Sequence, residues 1–184
     1  MIEVKADEKA IERATFLLAG VPNAIEQAIV SSFNRGLLAG RTAGTREATK
    51  QYTVKANIVR KTMAMHRASK GNLNAEIVSR GRRLPLYQFK HTPKTDTTGA
   101  KRKQVRVAVR KGTLKPLGQG FIYNGLVMQR LGATRLPVEQ KFALSVPNIL
   151  DNENVVEAIQ EKMSETVEKR LAHETLRILE GYGK

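Results

Sequence analysis

The sequence predicts an α+β fold, with long N-terminal and C-terminal helices packed on a small antiparallel sheet of about four strands. Three observations carry the prediction. Apolar residues recur at helical spacing through about the first 70 residues and again beyond residue 150; the stretch between them changes to period two; and that stretch holds an Asn-Gly dipeptide between two short apolar runs. A chain of 184 residues fits a single domain, residues 1–184, which should bury roughly 70% of its unfolded surface. Its parts are a helical portion (1–70), a basic sheet portion (71–138) with a mobile loop at 91–103, and a connector followed by the last helix (139–184).

Taken in order, residues 1–4 suit a short strand, after which Asp7 offers an N-cap to a helix carrying Ile11, Ala14, Leu17 and Leu18 on one face. Gly20-Val21-Pro22 breaks it, and Pro22 suits the first turn of a second helix through Ile25, Ala28, Ile29, Phe33, Leu37 and Leu38, with continuation past Gly40 and Gly44 toward Tyr52. Gly36, Gly40 and Gly44 lie four apart, a stripe suited to close packing of a strand or a neighbouring subunit; Arg35, Arg41 and Arg46 exclude a membrane span. Thr53 can cap a shorter helix over residues 54–68, ended by Gly71. Strands are expected at 75–78, 84–89 and 104–110, the last with Val105, Val107 and Val109 on one side and Gln104, Arg106 and Arg110 on the other. Two more, at Gly120–Tyr123 and Leu126–Arg130, are joined by Asn124-Gly125, which suits a type I′ turn. Asp151 is expected to cap the last helix, whose apolar stripe is Val155, Ile159, Met163, Val167, Leu171 and Ile178, with Glu157, Glu161, Glu165 and Glu168 on its wet side. That stripe reads as packed across the domain's own sheet, with a subunit contact as the alternative.

Charge is distributed unevenly. Twenty of the 32 Lys and Arg residues fall within residues 48–138, where the only acids are Glu76 and Asp96. The candidate DNA-facing residues are Arg60, Lys61, Arg80, Arg82, Arg83, Lys101, Arg102, Lys103, Arg106, Arg110 and Lys111. A one-sided basic surface suits a polyanion, held through the phosphate backbone without regard to base sequence. The plainer alternative is a solvated basic surface with no specific partner. Tyr87 and Phe89 read as core residues before stacking platforms.

The search for chemistry returns little. No cysteine is present, which removes disulfides, thiolate metal sites and cysteine nucleophiles and permits a reducing compartment. No apolar run reaches the ~18–20 residues a bilayer span needs, and the charged first residues read as a helix start rather than a signal peptide. His66, His91 and His173 are scattered without metal-ligand spacing. Two carboxylates in the basic stretch are too few for a two-metal nuclease, Gly118-Gln119-Gly120 lacks the rest of a phosphate loop, and no spacing selects a catalytic triad. The sequence thus makes no case for an enzyme, a catalytic residue, a metal or a cofactor. Residues 49–70 offer a loose helix-turn-helix pattern, so a DNA-binding regulator is the second reading.

Three segments together carry a resemblance: YTVKANIVRKTMAMHRAS at 52–69, RGRRLPLYQF at 80–89 and RLGATRLPVEQKFALSVPNIL at 130–150. They resemble the phage minor tail protein Z family, tail-completion proteins of long-tailed bacteriophages and prophages, over nearly the full chain. Ala143-Leu144 stands where the family pattern has Gly-Pro ahead of Ser145-Val146-Pro147. The resemblance implies a non-enzymatic virion component at the head-proximal end of the tail, assembled in the host bacterial cytoplasm. It implies a homo-oligomeric ring, a hexamer favoured, that touches the tail tube or tail terminator and the neck or connector proteins, and that helps head–tail joining and the sequence-nonspecific passage of double-stranded DNA. Glu157 and Glu161 are candidate subunit contacts in such a ring, facing the basic surface of a neighbour.

Overall fold

Asp7 opens α1 (Glu8–Leu17) as its position predicts, its carboxylate accepting from the Lys9 amide at 3.4 Å. In this computed structural model, which describes residues 2–3, 7–96 and 103–181, the chain forms two compact units. The first draws on residues 1–45, 63–80 and 151–184, the second on 46–62 and 81–150. The class is α+β, but the strands gather into four small sheets rather than one sheet of four, every pairing antiparallel.

Ala14 and Leu18 of the first unit are buried as expected, whereas Leu17, expected beside them, is exposed. α2 (Ala24–Gln51) starts two residues after Pro22, because Asn23 takes a left-handed φ of 57°, and it does continue past both glycines as far as Gln51. Gly40 and Gly44 of its glycine stripe meet the last helix, α5 (Glu153–Leu179), and Gly44 also lies against Met63, the first residue of a strand. A Cβ on Gly40 would lie 2.3 Å from Met163 Cγ, and one on Gly44 would lie 2.6 Å from Ile159 Cδ1. All six residues of the predicted α5 stripe are buried; Met163 and Ile159 face Gly40 and Gly44 of α2, and α5 lies alongside α1. Asn152, not Asp151, holds the N-cap position.

A sheet of order β1-β3-β2 completes this unit: β1 (Ile2–Glu3), β2 (Met63–His66) and β3 (Glu76–Ser79). β2 corrects the helix expected over 54–68. Met63 and Met65 would diverge by about 200° on a helix; on a strand they share a face, opposite Ser79 and Ile77, and Met63 and Ile77 are buried. A ladder to residues between 10 and 16 positions on, closed by Gly71 at φ 85°, outweighs the local helical pattern.

The second unit begins with the end of α2 and a short α3 (Ala56–Thr62). The strand expected at 84–89 divides into β4 (Arg83–Pro85) and a 3-10 turn (Leu86–Gln88), which buries Leu86 and Phe89 and leaves Tyr87 exposed. β5 (Lys90–Thr92) occupies the first part of the loop expected at 91–103, and residues 97–102 of that loop lie outside the described residues. β6 shortens to Arg106–Ala108, though Val105 and Val107 are buried and Gln104, Arg106 and Arg110 exposed, as the alternation predicts. With β7 (Lys115–Pro116) these form the order β5-β6-β7. β8 (Gly120–Tyr123) and β9 (Leu126–Arg130) match the expected hairpin, with Asn124 at φ 49° and Gly125 at φ 73°, the two positive values a type I′ turn needs. β10 (Val138–Gln140) adds to β9, and β11 (Phe142–Ser145) pairs with β4. Ser145-Val146-Pro147 starts α4 (Val146–Leu150): Ser145 Oγ accepts from the Asn148 amide at 3.4 Å, and Pro147 sits in the first turn, where its missing N–H costs no helical bond.

Candidate nucleic-acid interface

Grouping the chain by folded unit sharpens the charge asymmetry. The second unit contains nineteen Lys and Arg residues against three acids, a net +16, while the first holds thirteen against fourteen, a net −1. Each of the three acids is engaged locally. Glu47 accepts from Gln51 Nε2 at 3.1 Å and lies 3.4 Å from Lys50 Nζ; the Gln51 bond, helped by Lys50, holds its carboxyl below the usual range. Glu139 is ion-paired with Lys141. Asp96 accepts from the turn amides of Asn124 and Gly125 at 3.2 and 3.3 Å, so the described start of the predicted loop is fastened to the β8–β9 hairpin.

One cationic patch surrounds the C-terminal end of α2. The Lys111 amide donates to Gln51 O at 2.8 Å and the Thr53 amide to Val109 O at 3.0 Å, which ties the segment after β6 to the helix end. Arg110 stands 5.7 Å from the centre of the buried Tyr52 ring. Thr53 Oγ1 donates to Ala108 O and accepts from the Lys90 amide at 3.0 Å, adding the start of β5. The register pairs Lys90 with Ala108 and Thr92 with Arg106, so strand alternation puts Lys90 and Arg106 on one face. Lys50, Lys55, Lys90, Arg106, Arg110 and Lys111 are all exposed.

A second patch forms where α3 ends. Arg60 and Lys61 lie in its last turn, favourably placed against the helix carbonyls. Gly81 approaches so closely that a Cβ there would touch Thr62 Cγ2 at 3.5 Å, bringing the adjacent Arg82 and Arg83 beside that turn. Arg80 falls in the first unit, Lys103 is exposed just before β6, and Lys101 and Arg102 lie outside the described residues. Glu157 and Glu161 are exposed on α5, in the first unit. Lys50, Lys55 and Lys90 belong to the first patch although sequence reasoning passed over them; only the ladder between residues some forty to sixty positions apart reveals it.

This surface offers many exposed cations on strand ends and a helix terminus, the donors that contact phosphates. It lacks a base-reading element where one was sought. The helix expected through Ala68 stops at Thr62 and becomes β2, so residues 49–70 do not make two packed helices. His91 is buried with Nδ1 2.9 Å from Phe89 O, His66 and His173 are exposed, and no group of three or more His, Asp or Glu is placed to hold a metal among the described residues. No helix among them is long and apolar enough to cross a membrane.

The family model described as prophage minor tail protein Z (GPZ) matches residues 4–181. The chain belongs to the prophage minor tail protein Z family. Membership gives this tail protein a structural role in a phage tail and a place in the virion, among other tail components. No curated protein and no solved structure matches it significantly.

Proposed function

We propose that this tail protein completes the head-proximal end of the tail, that its copies form a ring, a hexamer favoured, and that the basic unit borders the path of the DNA between head and tail. The observation that supports this is the +16 unit in which every acid is locally engaged. Numerous phosphate contacts without base recognition hold any sequence, and each is individually weak. A genome that must pass through the tail needs this combination, since a tightly gripped duplex could not be ejected. The partners are then the tail tube or tail terminator on one side, neck or connector proteins on the other, and double-stranded DNA. Assembly takes place in the host bacterial cytoplasm. Nothing in the fold favours the regulator reading now that its second helix ends at Thr62 and the chain continues as a strand.

The test is to inactivate the gene in the replicon that carries it, induce particles, and compare electron micrographs with infectivity. Loss of infectivity with heads and tails that are unjoined, or joined but unproductive, is the expected result. Fully infectious particles, or altered transcription without a particle defect, would sink the reading.

A further inference from the structure

The first unit carries an apolar groove of about 470 Å³ between α1 and α5, walled by Ala10, Ala14 and Leu17 on one side and Leu171, Ala172 and Leu176 on the other. Phe16, one residue from the wall, is 83% exposed. Asp7, Lys9 and Arg13 of the α1 end and Glu168 of α5 complete the charged lining, two acids and two cations. Counting back along α5, Glu161 and Glu157 lie seven and eleven residues away, within about 40° of the same helix face, and all three are exposed. The groove itself is balanced in charge, but the α5 face beyond Glu168 is an acidic stripe, which suits an occupant with an apolar knob flanked by cations.

The second unit of the same chain presents such a knob. The loop between β9 and β10 projects Leu131 and Leu136, 58% and 67% exposed, each directly after an arginine, Arg130 and Arg135. It is braced from within: the Leu131 amide donates to Pro137 O at 3.1 Å, and Thr134 Oγ1 donates to Leu136 O. Both leucines thus stand outward on a loop whose shape is already set, which lowers the entropy cost of docking. Arg130 is stacked 4.6 Å from the Phe121 ring centre and keeps its charge at the neck of the loop.

We propose that the β9–β10 tip of one copy seats in the α1–α5 groove of the next, with its arginines facing the Glu168, Glu161 and Glu157 stripe. Two different surfaces meet in this contact, so it is heterologous, and repetition closes a ring or extends a filament. It rests on the ring reading above and gives that ring its joint.

The chain has no cysteine, so each single-cysteine variant carries one thiol and cannot link to itself within a copy. Ala133→Cys at the tip and Ala172→Cys in the groove, carrying different tags, are co-produced in the replicon lacking the native gene. Purified particles are then treated with a short thiol-to-thiol cross-linker. The expected product is the mixed 133–172 dimer, at least tenfold over either same-site dimer, and reduced at least tenfold when Leu136→Asp is added to the tip variant. Same-site dimers, or no dimers in infectious particles that contain several copies, would overturn this contact and leave the tail-completion reading standing. Particles that are infectious without either variant incorporated would overturn both.

Discussion

At the scale of single residues, the least legible feature is Glu174. It lies on the face of α5 that sequence reading would give to apolar residues, and it is 1% exposed. Its carboxylate accepts from Ser31 Oγ at 2.9 Å and is paired with Arg170 at 2.7 Å and Arg177 at 2.9 Å. Arg170 and Arg177 are recognisable as helical neighbours of a glutamate, but Ser31 is 143 positions away, and only folding brings it there. Because both arginines keep partial access to solvent, removing the carboxylate does not strand two buried charges. Glu174→Ala should therefore cost about 2 kcal/mol, within the range for hydrogen bonds to charged groups, and Glu174→Gln about half that; urea unfolding checks both. Glu165 behaves differently. It is held between Lys162 and Lys169, each at 2.6 Å, and their hydrogen bonds lower its carboxyl from 4.5 to about 2. A depressed folded value contributes stability above the ordinary glutamate range and loses it as the pH falls through about 2. The stability difference between the native chain and Glu165→Gln should thus persist at pH 5, shrink below pH 4.5 and vanish near pH 2, followed by thermal unfolding across that range.

At the scale of elements, Gly40 and Gly44 set how closely α2 and α5 approach. Alanine at either site gains helix propensity of about 1 kcal/mol, yet its methyl would have to displace Met163 or Ile159 from a buried position. Overpacking of this kind costs about 1–3 kcal/mol, so Gly40→Ala should be net destabilising by about 1 kcal/mol and Gly40→Val by more. Met163→Ala should relieve much of the Gly40→Ala penalty in a double-mutant cycle, even though Met163→Ala destabilises alone. Elements defined by local signals were legible: Asp7 as a cap, the β8–β9 hairpin through Asn124-Gly125, and the buried stripe of α5. Elements defined by distant partners were not. Residues 63–66 read as helix because Thr53 offers a cap and Gly71 a stop on either side of them, and only pairing with Glu76–Ser79 shows them to be a strand. The same holds for the candidate interface. Its charge was visible in the sequence, whereas the joining of Lys90, Arg110 and Lys111 to the end of α2 depends on bonds from Thr53 and Gln51 to residues far along the chain.

At the scale of the whole molecule, the net charge of +15 divides into a nearly neutral unit and one of +16. Long-range attraction to a polyanion should therefore depend on where a cation lies and not only on how many are removed. Taking one cation away from a phosphate flattens the plot of log affinity against log salt by about 0.9 on duplex DNA. Replacing Arg82, Arg83 and Lys111 with Ser removes exposed cations from the second unit and should reduce the slope by up to about 3, by a similar amount on unrelated duplexes. Replacing Lys9, Lys162 and Lys169 in the first unit lowers the net charge equally and should leave the slope nearly unchanged. Fluorescence anisotropy with two DNA sequences at several salt concentrations measures both, with circular dichroism to show that each variant is folded. Equal reductions from the two sets would mean that DNA responds only to net charge, and the basic unit would then lose its standing as an interface. A slope that changed on one duplex and not the other would point to base reading, which a surface of strand ends and a seven-residue helix is poorly built to provide.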